Sequence, residues 1–199
     1  MKSAMTTAGR GRPHQSKSRD HQKSKLAKIK PVHAVREGDI FTIAIDDRHV
    51  YVGHVICEYL HAWLVVVFDE SRTASEARAN PTHALASRPL FGAIVFDARF
   101  RPGMWELIGH SDSQQERFAP AYRMGDPRAG GMKILNFRGT EMREATPEEA
   151  DVFPRRTFNS PLVLEKAVRA HAGLERWLPA FDDFLAQDQP KSVDVFGTL

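Results

Sequence analysis

The chain has 199 residues, 42% of them hydrophobic and 27% charged, a balance that suits one folded domain with short extensions. Its longest apolar run, Ala62 to Phe68, is strand-sized and excludes a membrane helix, which needs roughly 20 such residues. A single cysteine, Cys57, excludes an internal disulfide framework and any multi-cysteine zinc site.

The formal net charge of +3 is unevenly spread. Residues 1–30 hold nine basic residues and one acid, Asp20, so this segment stands at +8. Residues 31–199 hold 19 basic and 24 acidic residues, so the body stands at −5. The N-terminal segment has almost no apolar side chains before Leu26 and cannot offset an ordering entropy of about 1–2 kcal/mol per residue. It reads as a disordered basic arm over 1–30, of a kind that can bind nucleic acid or an anionic surface. It lacks the apolar centre of a secretory signal.

Pro31 opens the body, and Glu37-Gly38-Asp39 signals a turn. Ile40–Ile45 and His49–Cys57 read as two strands joined across Asp46-Asp47-Arg48, a hairpin. Gly53, inside the second run, predicts a bulge or a close backbone approach. Trp63–Phe68 is apolar throughout, which predicts a third strand buried on both faces. Residues 70–88 are polar and alanine-rich and read as a long surface loop with at most one helical turn. Leu90–Phe96 and Met104–Gly109 are two further strands, and Phe118–Met124 and Met132–Phe137 are weaker ones, with Thr140–Arg143 placed to pair back.

The composition then changes. Thr146-Pro147-Glu148-Glu149 combines a capping hydroxyl, a proline at the first helical position and a glutamate three residues on. Ser160-Pro161 opens a second helix that stops at Gly173. Leu174, Trp177, Leu178, Phe181 and Leu185 follow helical spacing and predict a face that packs on the sheet. Residues 188–199 read as a loose tail. Strands first and helices last is the α+β pattern: a curved, mostly antiparallel sheet that could close toward a barrel, followed by C-terminal helices, in one domain over 31–187.

Few residues point to covalent chemistry. Cys57 lies three positions from His54, on opposite faces of a strand, and reads as a small buried hydrophobe. No serine sits in a Gly-x-Ser-x-Gly turn. The nine histidines never fall at a metal-ligand spacing within one helix and read as scattered surface residues. Gly103–Gly109 lacks the Lys-Ser/Thr ending of a phosphate loop. The sequence therefore predicts no catalytic residue, no metal and no cofactor. The paired acids Asp46-Asp47 and Asp69-Glu70 fall at turns, where acids suit solvent; beyond that they are the candidates for an acidic surface that meets a basic partner.

Motif order carries more than any one residue. The chain runs Glu37-Gly-Asp-Ile-Phe-Thr-Ile43, Tyr51-Val-Gly-His-Val55, Val67-Phe-Asp69, Pro89-Leu-Phe91, Trp105-Glu-Leu-Ile-Gly109 and Ala145-Thr-Pro-Glu-Glu149, with Ser160-Pro161 opening a helix. This string resembles the immunity protein 26 family of bacterial polymorphic toxin systems over about residues 33–175. The resemblance implies a non-enzymatic cytoplasmic antitoxin that binds and blocks a cognate toxin, with no catalytic residues to carry over. A body at −5 would suit a basic, nuclease-type toxin. Asp46, Asp47, Asp69 and Glu70 are then the candidate contacts. The alternative from the residues alone is a nucleic-acid-binding module that uses the arm; an enzyme would need a pocket holding a perturbed histidine or carboxylate.

Overall fold

The computed structural model describes residues 34–126 and 131–199; the basic arm over 1–30 lies outside the described residues. Asp39–Ala44 (β1) and His49–Tyr59 (β2) form the predicted hairpin, in antiparallel register from Ile40 opposite His54 to Ala44 opposite Val50. Ala62–Thr73 (β3) follows antiparallel to β2. Gly53 answers to both predictions made for it. The β2–β3 register shifts between Tyr51 and Gly53. An added Cβ on Gly53 would also lie 2.7 Å from Cε1 of Phe41, so only a glycine leaves room for that ring.

The middle of β3 is apolar because both its faces are covered. Val65 and Val67 point into one core, with Phe41, Phe91, Phe100 and Trp105. Leu64, Val66 and Phe68 point into another, with Ile56, Cys57, Phe118 and Phe137. Successive residues of a strand face opposite ways, so two cores need an unbroken apolar run.

Residues 70–88 are more ordered than a surface loop. β3 runs on to Thr73, which caps Ala74–Ala79 (α1): its hydroxyl accepts from the Glu76 N–H, and Glu76 returns a bond to the Thr73 N–H. A 3-10 turn over His83–Ala86 then buries Ala84 and Leu85. Thr73 to Glu76 is a capping box, legible in the sequence but hidden there by the polar composition around it.

Pro89–Val95 (β4) and Glu106–His110 (β5) pair antiparallel with β3 and β1. After the short Gln115–Phe118 (α2), Tyr122–Asp126 (β6), Gly131–Leu135 (β7) and Met142–Glu144 (β8) make a separate three-stranded antiparallel sheet. Pro147–Val152 (α3) begins with a second capping box, Thr146 to Glu149. Phe158–Asn159 (β9) adds a two-residue strand parallel to β4, giving the six-stranded order β5-β1-β2-β3-β4-β9. The fold is α+β as expected. The large sheet stays open, with β5 and β9 as its edges, rather than closing toward a barrel. Its two faces are occupied, one by Pro161–His171 (α4) through Leu164, Ala167 and Val168, the other by the small sheet through Tyr122, Leu135 and Phe137.

The C-terminal region differs from expectation in two places. Leu174–Leu185 is not an α-helix. Leu178 is extended and Pro179 starts a 3-10 turn to Phe184, although Phe181 and Phe184 are buried against the sheet. Nor is 188–199 loose. Ser192–Phe196 (α5) is anchored by the buried Ser192, whose hydroxyl donates to the Pro120 carbonyl at 3.0 Å and accepts the Phe137 N–H at 2.6 Å. Asn136 Nδ2 reaches the Leu199 oxygen at 2.6 Å. These are polar, long-range ties, and no local periodicity announces them.

Candidate protein-docking surface

The four acids singled out in the sequence lie toward one end of the large sheet, where α4 reaches Asp69 and the carbonyl just before Asp46. Arg169 Nη1 donates to the Ile45 carbonyl at 2.6 Å, next to Asp46, and His171 Nε2 lies 2.9 Å from Asp69 Oδ1. Three of the four are spent on the fold. Asp46 Oδ1 accepts the N–H groups of Arg48 and His49, both at 2.7 Å, and these bonds hold its carboxyl at about 2. Asp69 pairs with Arg88 as well as His171, and Arg88 foremost draws its carboxyl below the ordinary range. Glu70 accepts from Arg72 at 2.5 Å and from Ser87 at 2.7 Å, with the same direction of shift. Asp47, exposed on the β1–β2 turn, alone of the four has no such partner among the described residues.

The opposite end of the β2–β3 hairpin carries a surface that sequence reasoning missed. Leu60 and His61 form its two-residue turn, with φ of 49° and 63°. Two successive left-handed residues match the twist of the strands, but asparagine and glycine are the usual occupants. A residue with a Cβ costs roughly 1–2 kcal/mol in that conformation. Leu60 is nonetheless 68% exposed at the tip.

Beside this tip an aromatic stack runs out of the core. Buried Phe137 meets Tyr59 edge-on at 5.4 Å; Tyr59 stacks on Phe158 at 6.1 Å, and Phe158 on Phe96 at 6.1 Å. Phe96 and Phe158 are 45% and 41% exposed. The four rings come from four separate segments: the stretch after β7, the end of β2, β9 and the residue after β4. Arg156 fixes the inner end. Its guanidinium lies 4.5 Å from the Tyr59 ring, and it donates to the Tyr59 hydroxyl at 2.5 Å and to the Asn136 and Phe137 carbonyls at 3.0 and 2.6 Å. In the sequence, Phe96 looks like the end of a buried strand and Phe158 sits among polar residues, so neither signals a surface. A leucine at a hairpin tip is the one local sign, legible only once the turn is known.

A third feature is a cleft of about 320 Å³ between Glu37-Gly38 and the segment His110–Gln114. Behind it lies His54, 1% exposed, a correction to the expectation that the histidines are scattered on the surface. Cys57 is buried as expected, and burial pushes its thiol up to about 12. Among the described residues no group of three or more His, Cys, Asp or Glu side chains is placed to hold a metal ion, and no helix is long and apolar enough to cross a membrane. The chain matches no family model, no curated protein and no solved structure.

Proposed function

We propose that this protein is an immunity protein: it binds a cognate toxin of a bacterial polymorphic toxin system in the producing cell's cytoplasm and blocks it by occlusion, without catalysis. The exposed ridge of Leu60, Phe158 and Phe96 carries this reading. Burying a leucine or phenylalanine side chain fully is worth about 1.5–3 kcal/mol, and aromatic anchors in a desolvated contact dominate binding energy. A strained turn that displays a leucine, next to a stack that displays two phenylalanines, is a rigid and preorganised contact surface. The motif order that resembles the immunity protein 26 family supports toxin binding as the purpose of that surface.

The acids take a secondary part. Asp46 and Asp47, at the far end of β2 from the ridge, add to the negative field that draws such a partner in, while Asp69 and Glu70 are offset by Arg88 and Arg72. A body at −5 suits a basic, nuclease-type toxin. The test is co-expression with the toxin encoded beside this gene. Protection and a stable complex are expected, both lost in a Leu60→Ala, Phe158→Ala double variant. Absence of both with the wild-type protein, or protection that consumes toxin catalytically, overturns the proposal.

A further inference from the structure

The stretch 190–199, which contains α5, is tied to two other segments. On the approach to β6, Ala121 N–H donates to the Pro190 carbonyl at 2.8 Å and Ser192 N–H to the Ala119 carbonyl at 2.9 Å. The Ser192 hydroxyl donates to the Pro120 carbonyl at 3.0 Å and accepts the Phe137 N–H, just past β7, at 2.6 Å. Asn136, fully buried, adds a second tie past β7. Its Nδ2 donates to the Leu199 oxygen at 2.6 Å and to Thr140 Oγ1 at 2.9 Å, and its Oδ1 accepts the N–H groups of Thr140 and Glu141 at 2.9 and 3.3 Å. Thr198 Oγ1 donates to Glu141 Oε1 at 2.5 Å.

One peptide group joins these ties to the docking ridge. The Asn136 carbonyl accepts Arg156 Nη2 at 3.0 Å, and the N–H of that same peptide, belonging to Phe137, is the one Ser192 holds. Bonds at the two ends of one amide polarise each other and fix its plane. Arg156 also reaches the Phe137 carbonyl and lies over the Tyr122 ring, and Tyr122 directly follows the segment 119–121 that Pro190 and Ser192 hold. Of these partners of Arg156, only Tyr59 belongs to the large sheet. Tyr59 in turn is the ring on which Phe158 and then Phe96 are stacked.

The stretch itself is held down mostly by polar bonds. Ser192 is buried, but Val193, Val195, Phe196 and Leu199 are only half-buried, and Gly197 and Thr198 are exposed. A segment with few buried apolar contacts opens at a lower free energy than the sheets it lies on. Among the described residues, the core between the large sheet and α4 takes none beyond Leu185, so it does not depend on this stretch.

We infer that residues 190–199 are a strap that sets the docking ridge. Closed, it fixes the peptide between Asn136 and Phe137, and with it Arg156 and Tyr59. Released, it takes that support from the rings of Phe158 and Phe96 while the large sheet stays folded. This rests on the reading of the ridge as the toxin contact and adds a point of control to it.

The test compares two full-length variants. Ser192→Ala removes the hydroxyl between Pro120 and Phe137, and Gly53→Ala strains a distant part of the fold at Phe41. The readouts are the NMR shifts of the Tyr59, Phe96 and Phe158 rings and the affinity for the toxin encoded beside this gene, both at a temperature where each variant is folded. In Ser192→Ala the three rings are expected to move toward random-coil shifts. Affinity is expected to fall about tenfold, as when the competent arrangement is populated about one-tenth of the time. In Gly53→Ala neither should change. Unmoved rings in a folded Ser192→Ala overturn the strap, as does an affinity that stays unchanged while the rings move. Equal changes in Gly53→Ala also overturn it, since lower stability alone would then explain them. Should Ser192→Ala not fold, hydrogen exchange of the wild-type protein at low urea decides. The amides of Phe137, Ser192 and Phe158 are expected to open together, below the free energy of global unfolding, and exchange only through global unfolding overturns the strap. A wild-type protein that binds no toxin, with the ring response intact, overturns the reading of the ridge and upholds the strap.

Discussion

Arg156 both covers the face of Tyr59 and donates to its hydroxyl, so a single guanidinium pins the last residue of β2 to the Asn136-Phe137 carbonyls beyond β7. It also lies 4.9 Å from the Tyr122 ring of β6. One side chain thereby joins the two sheets at the point where the aromatic stack leaves the core. Among the described residues its bonds go to a hydroxyl and two carbonyls, not to an acid. Its planar fork reaches three acceptors on two segments, a geometry that an ammonium cannot copy.

Replacing Arg156 by alanine leaves the Tyr59 hydroxyl and two carbonyls without their donor and removes two ring contacts. A loss of about 2–4 kcal/mol in urea unfolding is expected, since bonds to a charged donor each contribute roughly 1.5–3 kcal/mol and are not additive. Arg156→Lys should recover less than half. An unchanged midpoint in Arg156→Ala would show that the two sheets are joined without it.

Gly53→Ala tests the close approach of β2 to Phe41. The new Cβ would lie 2.7 Å from Cε1 of that ring and closer still to Cζ, and the ring is itself stacked on Trp105 at 5.0 Å. Overpacking of this kind costs about 1–3 kcal/mol. Phe41→Leu combined with Gly53→Ala should be less destabilised than the two single changes added together, a coupling that a double-mutant cycle measures.

The hairpin tip should trade stability for binding. Changing Leu60-His61 to Asn-Gly suits both left-handed positions and should stabilise the isolated protein by about 1–2 kcal/mol, read as a higher melting temperature. The same change should weaken toxin binding. A lower melting temperature would mean that Leu60 stabilises the fold itself.

Acid should unfold the protein partly through Asp46 and Glu149. Backbone N–H groups of Arg48 and His49 lower the Asp46 carboxyl from 3.8 to about 2. Arg143, followed by the Thr146 N–H, lowers Glu149 from 4.5 to about 2. The unfolded chain then binds more protons than the folded one between roughly pH 4.5 and 2, so the stability these groups contribute is present above that window and disappears as pH falls through it. Asp46→Asn keeps the acceptor oxygen and removes the titration. Its melting temperature should fall less steeply below pH 4.5 than that of the wild type; an identical slope would discount Asp46.

Cys57 provides a probe of opening. Its thiol, buried and pushed up to about 12, is almost entirely protonated at neutral pH and closed to reagents. Alkylation of the native protein should be slow and should rise in step with global unfolding in urea. Fast labelling without denaturant would place a local opening at β2.

The acids show how far a sequence can be read. Asp46 and Asp47 are legible as surface carboxylates, because an acid beside a turn is a local signal; Asp69 and Glu70, expected at a turn as well, lie half-buried within β3, which runs on to Thr73. The partners of Asp46 are its near neighbours Arg48 and His49, but that Asp69 and Glu70 would be met by Arg88, His171 and Ser87 was not visible, because those partners lie 17 to 102 residues away. The docking ridge was hidden for the same reason: Tyr59, Phe96 and Phe158 become one stack only when β9 pairs beside β4.

The sequence by itself determined what depends on near neighbours. The unbroken apolar run in β3 dictated burial on two faces, Thr146-Pro147 and Ser160-Pro161 dictated two helix starts, and the order of strands before helices dictated an α+β chain. The tertiary structure alone decided the left-handed turn at Leu60-His61, the burial of His54, the bridge made by Arg156 and the anchoring of Ser192. The turn follows from the register in which β2 and β3 pair, closing at Tyr59 and Ala62; the other three are set by groups far apart in the chain, whose meeting depends on how the elements pack, and local propensity holds no record of that.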